Sequence, residues 1–330
     1  MTLPDTLLSD WLNSESYNEI QGNNHQFYDQ FIRDLKARPL ADNIRSSIRG
    51  LTAVSGCDHS PGWLAKLNIS RIKGLDEQTK QVLVKSTDFA LQNNTAKVLP
   101  YGLSVDDLNE AAFRVCEFYG EACGAVPIRS LEASDANESE YTFRIDGKVY
   151  SYAFLYSYIH YCFIERNVDL SHYDNVVEIG GGVGRQLEVI KKVYPRLNFF
   201  MVDIGCTLYA AQQYLSNIFP ADVEDYRETA GKKEIEGAGG KIYFVGNWNI
   251  GRLSPRGKTI GLGTAVYCLM SKETVAKYLE SLQSYCQAIY MMEPVTDLTT
   301  SVYNMESSPT YETYEKILSK GYKLMERRPA

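Results

Sequence analysis

The clearest chemistry in this sequence lies in Val176-Val177-Glu178-Ile179-Gly180-Gly181-Gly182-Val183-Gly184, a hydrophobic run, an acid, and glycines at alternate positions opening an amphipathic stretch. Glycines let a backbone turn sharply and approach a ligand where a Cβ would clash. The helix expected to follow adds unpaired N–H groups and the positive end of its dipole. Such a loop suits a ligand that carries a carboxylate. The dinucleotide fingerprint Gly-x-Gly-x-x-Gly is not met, because its last position falls on Arg185 when counted from Gly180 and on Leu187 when counted from Gly182. Asp203 ends the next hydrophobic run, about 20 residues on, where a doubly wound fold places an acid to bind ribose hydroxyls. Gly263 and Thr264 close another such run, and open α/β sheets bind ligands at that edge.

The elements that must position these residues follow from the rhythm of the chain. From Asp174 onward, strand and helix alternate, which predicts a Rossmann-like, doubly wound α/β domain with a mostly parallel sheet. The predicted strands are Val176 to Ile179, Phe199 to Val202, Ile242 to Val245, Thr259 to Leu262 and Ala288 to Met292. The clearest helices are Gly184 to Tyr194, Thr207 to Asn217 and Lys272 to Tyr285. Residues 1–150 read as a helical N-terminal lobe, a substrate cap with room for oligomer contacts, and 151–330 as the Rossmann-like domain. In the first lobe a helical pattern covers Asp76 to Asn94, and a second helix starts at Ser104, with Asp107 completing a capping box, and ends near Gly120. A short hairpin turns at Asp146-Gly147. The run Tyr150 to Ile164, apolar or aromatic almost all round, predicts a buried helix joining the lobes.

Composition narrows the function classes. With a net charge of −7 and dispersed Lys and Arg, the chain lacks the electrostatic footprint of a nucleic-acid binder. No stretch approaches the ~20 apolar residues of a membrane span and the first residues do not resemble a secretion signal, so a cytoplasmic protein is expected. Seven dispersed cysteines without Cys-x-x-Cys spacing and four histidines without a paired spacing suggest neither a disulfide framework nor a metal site.

The acid-x-Gly-x-Gly-x-Gly pattern at Glu178 resembles the first motif of class I, Rossmann-like methyltransferases. The segment Asp174 to Ser216, with Glu178 to Arg185, Val202-Asp203 and Ala210-Ala211-Gln212-Gln213-Tyr214, resembles the sugar O-methyltransferase family of bacteria. The resemblance implies S-adenosylmethionine as cofactor and a helical region ahead of the methyltransferase domain. It also implies that Glu178 faces the cofactor's methionine portion and that Asn247 contacts the adenine amine. Trp248 is divided between stacking on adenine and packing in the core. The chain departs from the pattern in carrying Leu269-Met270 where such enzymes often have an acidic Glu-Met pair. Tyr311 to Leu318 can form a last helix and Lys323 to Arg327 a sixth strand, with too little chain after them for a seventh.

Methyl transfer to a hydroxyl needs positioning and removal of a proton. Glu293, after the fifth strand, and Asp297 are candidates, and either acid suits a divalent metal, although no metal ligand set is assigned. His160 and His172 are the alternatives. His160 competes with the reading of a satisfied core histidine, and His172 with a surface turn. The expected activity is O-methylation of a small hydroxylated metabolite, a sugar or sugar-containing natural product. O- or N-methylation of a non-sugar secondary metabolite and a non-catalytic S-adenosylmethionine-binding module stand as alternatives. A small-molecule acceptor is the expected partner, with a homodimer left open.

Overall fold

A computed structural model describes residues 3–14, 74–90, 104–134, 142–292 and 311–322. Helices α1 (Leu3–Leu12), α2 (Glu77–Ala90) and α3 (Val105–Cys123) precede a hairpin of β1 (Thr142–Ile145) and β2 (Lys148–Ser151), which leads into α4 (Tyr152–Asn167). There follow β3 (Asn175–Ile179), α5 (Arg185–Val193), β4 (Asn198–Asp203), α6 (Gly205–Ile218), α7 (Tyr226–Ala230) and β5 (Ile242–Gly246). The described chain continues through β6 (Thr259–Thr264), α8 (Lys272–Gln283), β7 (Cys286–Met292) and α9 (Tyr311–Leu318).

Strands β3 to β7 form one parallel sheet in the order β5-β4-β3-β6-β7. Counted from β3 this is 3-2-1-4-5, the doubly wound arrangement predicted from the alternation of strand and helix. The order reverses between β3 and β6, which are neighbours, and the crevice at that switch lies outside their carboxyl ends. The glycine loop leaves β3 there, and Gly263-Thr264 leaves β6 beside it.

Side chains alternate between two cores. Val176, Phe199, Met201, Ile242, Phe244, Ile260 and Leu262 face one cluster, while Val177, Ile179, Phe200, Val202, Tyr243 and Val245 face the other. The first cluster also takes Leu7 and Trp11 of α1, Phe113 and Val115 of α3, and Phe154 and Tyr158 of α4. The described N-terminal helices therefore close one face of the sheet and share its core.

Helix α3 begins as expected, with the Ser104 hydroxyl accepting from Asp107 N–H and the Asp107 carboxylate accepting from Ser104 N–H. It runs past Gly120 to Cys123 and ends on Gly124, which is left-handed at φ 67°. Gly120 serves packing instead: a Cβ there would lie 2.2 Å from the Tyr158 hydroxyl, which donates to the Val126 carbonyl at 2.8 Å. The hairpin turns through Asp146 (φ 50°) and Gly147 (φ 82°), the two positive φ values of a type I′ turn. Its second strand claims Tyr150, paired with Phe143, so the buried helix starts at Tyr152 and not at Tyr150. All five predicted sheet strands form, and so does the last helix, whereas Lys323 to Arg327 falls outside the described residues. The short α7 has no counterpart in the sequence reading.

Replacing Gly120 by Val forces a side chain into the place of the Tyr158 hydroxyl. Overpacking of this kind costs about 1–3 kcal/mol, and the expected outcome is that loss in a denaturant titration, with Tyr158→Phe relieving part of it in the double variant.

Candidate functional site

The loop between β3 and α5 takes its shape from four glycines with different duties. Gly180 (φ 67°) donates to the Val202 carbonyl at 2.8 Å, and a Cβ on it would meet Val266 at 2.0 Å. Gly184 (φ 89°) lies against Leu215 of α6, 2.7 Å from its own would-be Cβ. At Gly181 a Cβ would fall 2.8 Å from the Glu178 carboxyl. Gly182 (φ 59°) differs, because a Cβ there would meet no atom within 4 Å. Packing accounts for Gly180, Gly181 and Gly184, while Gly182 faces open space at the mouth of the crevice. Neither α5 nor α6 has a side-chain cap on its first turn, so both present backbone donors at this edge.

Two carboxyls meet under the loop. Asp203, at the end of β4, accepts from Gly182 N–H at 3.1 Å and from Ile204 N–H at 2.7 Å. Glu178, 4% exposed, leaves its Oε2 without a hydrogen-bond partner among the described residues. Burial, reinforced by the Asp203 charge, pushes Glu178 up to about 8, and burial raises Asp203 to about 7 despite its two backbone donors. No basic side chain contributes to either shift. A neighbouring positive charge or further hydrogen-bond donors would lower both values.

A group whose folded pKa is raised contributes stability that is complete below its unfolded pKa and lost as pH rises through the folded value. For Glu178 that window runs from its ordinary value of 4.5 to about 8. The ligand-free protein is expected to lose unfolding free energy across this range, and Glu178→Gln to flatten the slope. Unchanged slopes in urea titrations at a series of pH values would refute the assignment of the burden to Glu178.

One turn into α5 a second buried carboxyl is fully answered. Glu188, 0% exposed, pairs with Arg185 (3.4 Å) and Lys192 (2.8 Å), accepts from the Tyr214 hydroxyl, and accepts from Ser134 N–H at 2.8 Å. Burial would raise its pKa, but these charges and donors outweigh it and hold Glu188 below the ordinary carboxyl range. Arg185 lies over the Tyr214 ring, 4.5 Å from its centroid, and also donates to its hydroxyl. The cluster ties the helix carrying the glycine loop to α6 and to the segment at 131–134. Glu188→Ala would strand the Arg185 charge in the core, an error that costs about 3–5 kcal/mol. The variant's thermal midpoint should fall accordingly, while Arg185→Ala/Glu188→Ala recovers part of the loss.

The remaining candidates distribute around the same edge. Asn247 and Trp248 follow β5 in a 3-10 turn, and both are half-buried. The Trp248 indole folds over Gly246, where a Cβ would approach it to 2.4 Å, so one side of the ring packs on the chain itself. Gly263 is required by the Tyr267 ring, 2.3 Å from its would-be Cβ, and Thr264 is partly exposed at the end of β6. His160 is buried on α4, with Nδ1 2.8 Å from the Tyr290 hydroxyl. His172 is largely exposed and pairs with Asp169 at 3.0 Å. Glu293 and Asp297 lie outside the described residues. Sequence reasoning missed Glu188, Tyr290 and the contact of Trp11 with Gly205, where a Cβ would lie 2.6 Å from the Trp11 Cβ. Only Gly205, two residues after Asp203, offered a sequence signal for that contact. Among the described residues no group of His, Cys, Asp and Glu is arranged to hold a metal ion, and no helix is long and apolar enough to cross a membrane. Six described cysteines carry free thiols.

No family model matches the chain, and no curated protein matches it. Among solved structures the chain is similar to PigF with SAH, at 14% identity over 51% of this chain and 54% of that one, with a TM-score of 0.34. It is also similar to human N-acetylserotonin methyltransferase in complex with SAM, at 13% identity, 86% and 92% coverage and a TM-score of 0.33. The mitomycin 7-O-methyltransferase MmcR gives 11% identity, 86% and 67% coverage and a TM-score of 0.35. The chain spans about half the length of the first of these. Similarity at this level carries no argument about function, and the fold assignment rests on the strand order.

Proposed function

We propose that the chain is an S-adenosylmethionine-dependent O-methyltransferase acting on a small hydroxylated metabolite, a sugar or sugar-containing natural product. The observation that carries this reading is the unanswered carboxyl of Glu178 beside Asp203, under a glycine turn that is open at Gly182. A pyrophosphate would bring like charge onto that pair, which disfavours a dinucleotide. A ligand with an ammonium, a sulfonium and ribose hydroxyls answers it with opposite charge and donors. Bound there, S-adenosylmethionine supplies a methyl group on positively charged sulfur.

The residues of the crevice fit that cofactor. Glu178 lies toward the amino-acid portion, Asp203 receives ribose hydroxyls, and Gly180, Gly182 and Gly184 hold the backbone close. Asn247 and Trp248 serve the adenine, with Gly263 and Thr264 flanking the cofactor. The lobe 1–150, of which the described helices α1 to α3 pack on the sheet's core, serves as the cap over 151–330 that bounds the acceptor space. The sugar assignment is supported by the resemblance of Asp174 to Ser216. Glu293 and His160 are the proposed proton acceptors.

Isothermal titration with S-adenosylmethionine and its demethylated product S-adenosylhomocysteine is expected to give saturable binding, and NADH none. Asp203→Ala removes hydrogen bonds to a charged group, worth about 1.5–3 kcal/mol, or roughly 10- to 150-fold in affinity. Equal affinity of the variant and the parent would remove Asp203 from the ribose site, and tight NADH binding would remove the cofactor assignment. Methyl-transfer assays over sugar and non-sugar acceptors then separate the substrate classes, and binding without turnover on any of them would favour a non-catalytic module.

A further inference from the structure

Helix α6 starts with little support from its own sequence. Gly205, the poorest helix former after proline, opens it, and Ile204 stands at the N-cap and gives it no side-chain hydrogen bond. The turn that leads into it carries Asp203, whose carboxylate accepts from Ile204 N–H at 2.7 Å. What rests on this turn is α1. Leu7, Asp10 and Trp11 follow one another at the i, i+3 and i+4 spacing that puts them on one face of that helix. Leu7 and Trp11 are fully buried, and a Cβ on Gly205 would lie 2.6 Å from the Trp11 Cβ and 3.0 Å from Leu7 Cδ2. The three atoms nearest to that position all belong to α1. Asp10 reaches the same helix further along: it accepts from the Tyr226 hydroxyl at 2.9 Å, and Tyr226 N–H donates to the buried Gln212 of α6 at 3.0 Å. Helix α6 is thus gripped at Gly205 and at Gln212, about 10 Å apart along its axis.

We propose that α1 is a working part of the cofactor site, with Trp11 as a positioning residue that, seated on Gly205, holds the turn from Asp203 to Gly205 so that the Asp203 carboxylate meets the ribose hydroxyls. The proposal rests on the S-adenosylmethionine reading above and adds to it an energetic link between α1 and the ribose contact. One residue separates the carboxylate from the start of α6, so a first turn that unwinds takes the Ile204 N–H off Asp203. Helix ends fray, and undocking α1 removes the contact that offsets a glycine start and a missing cap. Docking of α1 and binding of ribose are therefore coupled, and coupling is reciprocal. The factor by which seated α1 raises cofactor affinity is the factor by which cofactor favours seated α1, typically about 5- to 150-fold. A helix that only filled the core would change the thermal midpoint and leave the affinity of the folded protein where it was.

Isothermal titration of the full chain with S-adenosylhomocysteine is expected to show Trp11→Ala weakening binding by about 5-fold or more, with Trp11→Phe recovering most of the loss. Gly205→Ala keeps Trp11 and drives α1 off the turn, so it should weaken binding in the same way, and it carries the test if Trp11→Ala does not fold. The loss should run through Asp203: in an Asp203→Ala background, adding Trp11→Ala should cost less than about 2-fold, because the two changes act on one contact. In the ligand-free protein, amide exchange at Ile204 should quicken by about 5-fold or more in Trp11→Ala, measured against the amides of α8. Variants that bind as tightly as the parent, losses at Trp11 and Asp203 that simply multiply, or an Ile204 amide that keeps its parent rate would each overturn the proposal. A parent that does not bind S-adenosylhomocysteine, while Ile204 exchange still responds to Trp11→Ala, would remove the cofactor reading and leave the tie between α1 and the Asp203 turn standing.

Discussion

Under the turn from β3 into α5, the chain presses backbone against two carboxyls without supplying a cation to either. Gly181 has no side chain because the Glu178 carboxyl occupies its place, and Gly182 directs its N–H onto Asp203. The rest of the crevice serves this arrangement. Val266 and Leu215 press on Gly180 and Gly184 and keep the loop from relaxing outward, while α5 and α6 begin at the same edge with uncapped first turns. Burying Glu178 without a partner for its Oε2 beside Asp203 costs the ligand-free fold stability, and the two carboxyls are raised together.

Glu188, ten positions after Glu178, shows how the same chain treats an acid meant for structure. Three side chains and one backbone N–H converge on it, and the surrounding charges keep it ionised in the core. Glu178 has a comparable depth and none of these partners. Burial therefore does not separate the two carboxyls; satisfaction of their oxygens does. His160 on α4 is likewise half-satisfied, its Nδ1 against the Tyr290 hydroxyl and its buried Nε2 without a partner among the described residues.

The sheet face under α4 is closed by elements remote in sequence. Trp11 of α1 lies on Gly205 at the start of α6, and Asp10 accepts from the Tyr226 hydroxyl at 2.9 Å, which braces the turn that follows Asp203. Helices α3 and α4 interlock through Gly120 and Tyr158, carrying His160 over β7. The turn after Asp203 and the sheet face under α4 thus depend for their packing on helices from the first half of the chain.

The sequence by itself determined the alternation of strand and helix, the five sheet strands, the capping box at Ser104, the Asp146-Gly147 turn and the glycine loop with its two acids. Each is encoded within a few neighbouring residues, in side-chain periodicity or in a φ that few residue types tolerate. What only the tertiary structure decided is which of these residues are answered and by whom. Arg185 read only as a break in a dinucleotide pattern until Tyr214 and Glu188 closed around it, and Gly120 read as a helix end until Tyr158 filled the space above it. Tyr290 was one aromatic among 24 tyrosines until its strand came to rest under His160. Such pairings join residues up to 216 positions apart, as Tyr226 and Asp10 show. They depend on strand order and helix docking, which no local pattern specifies.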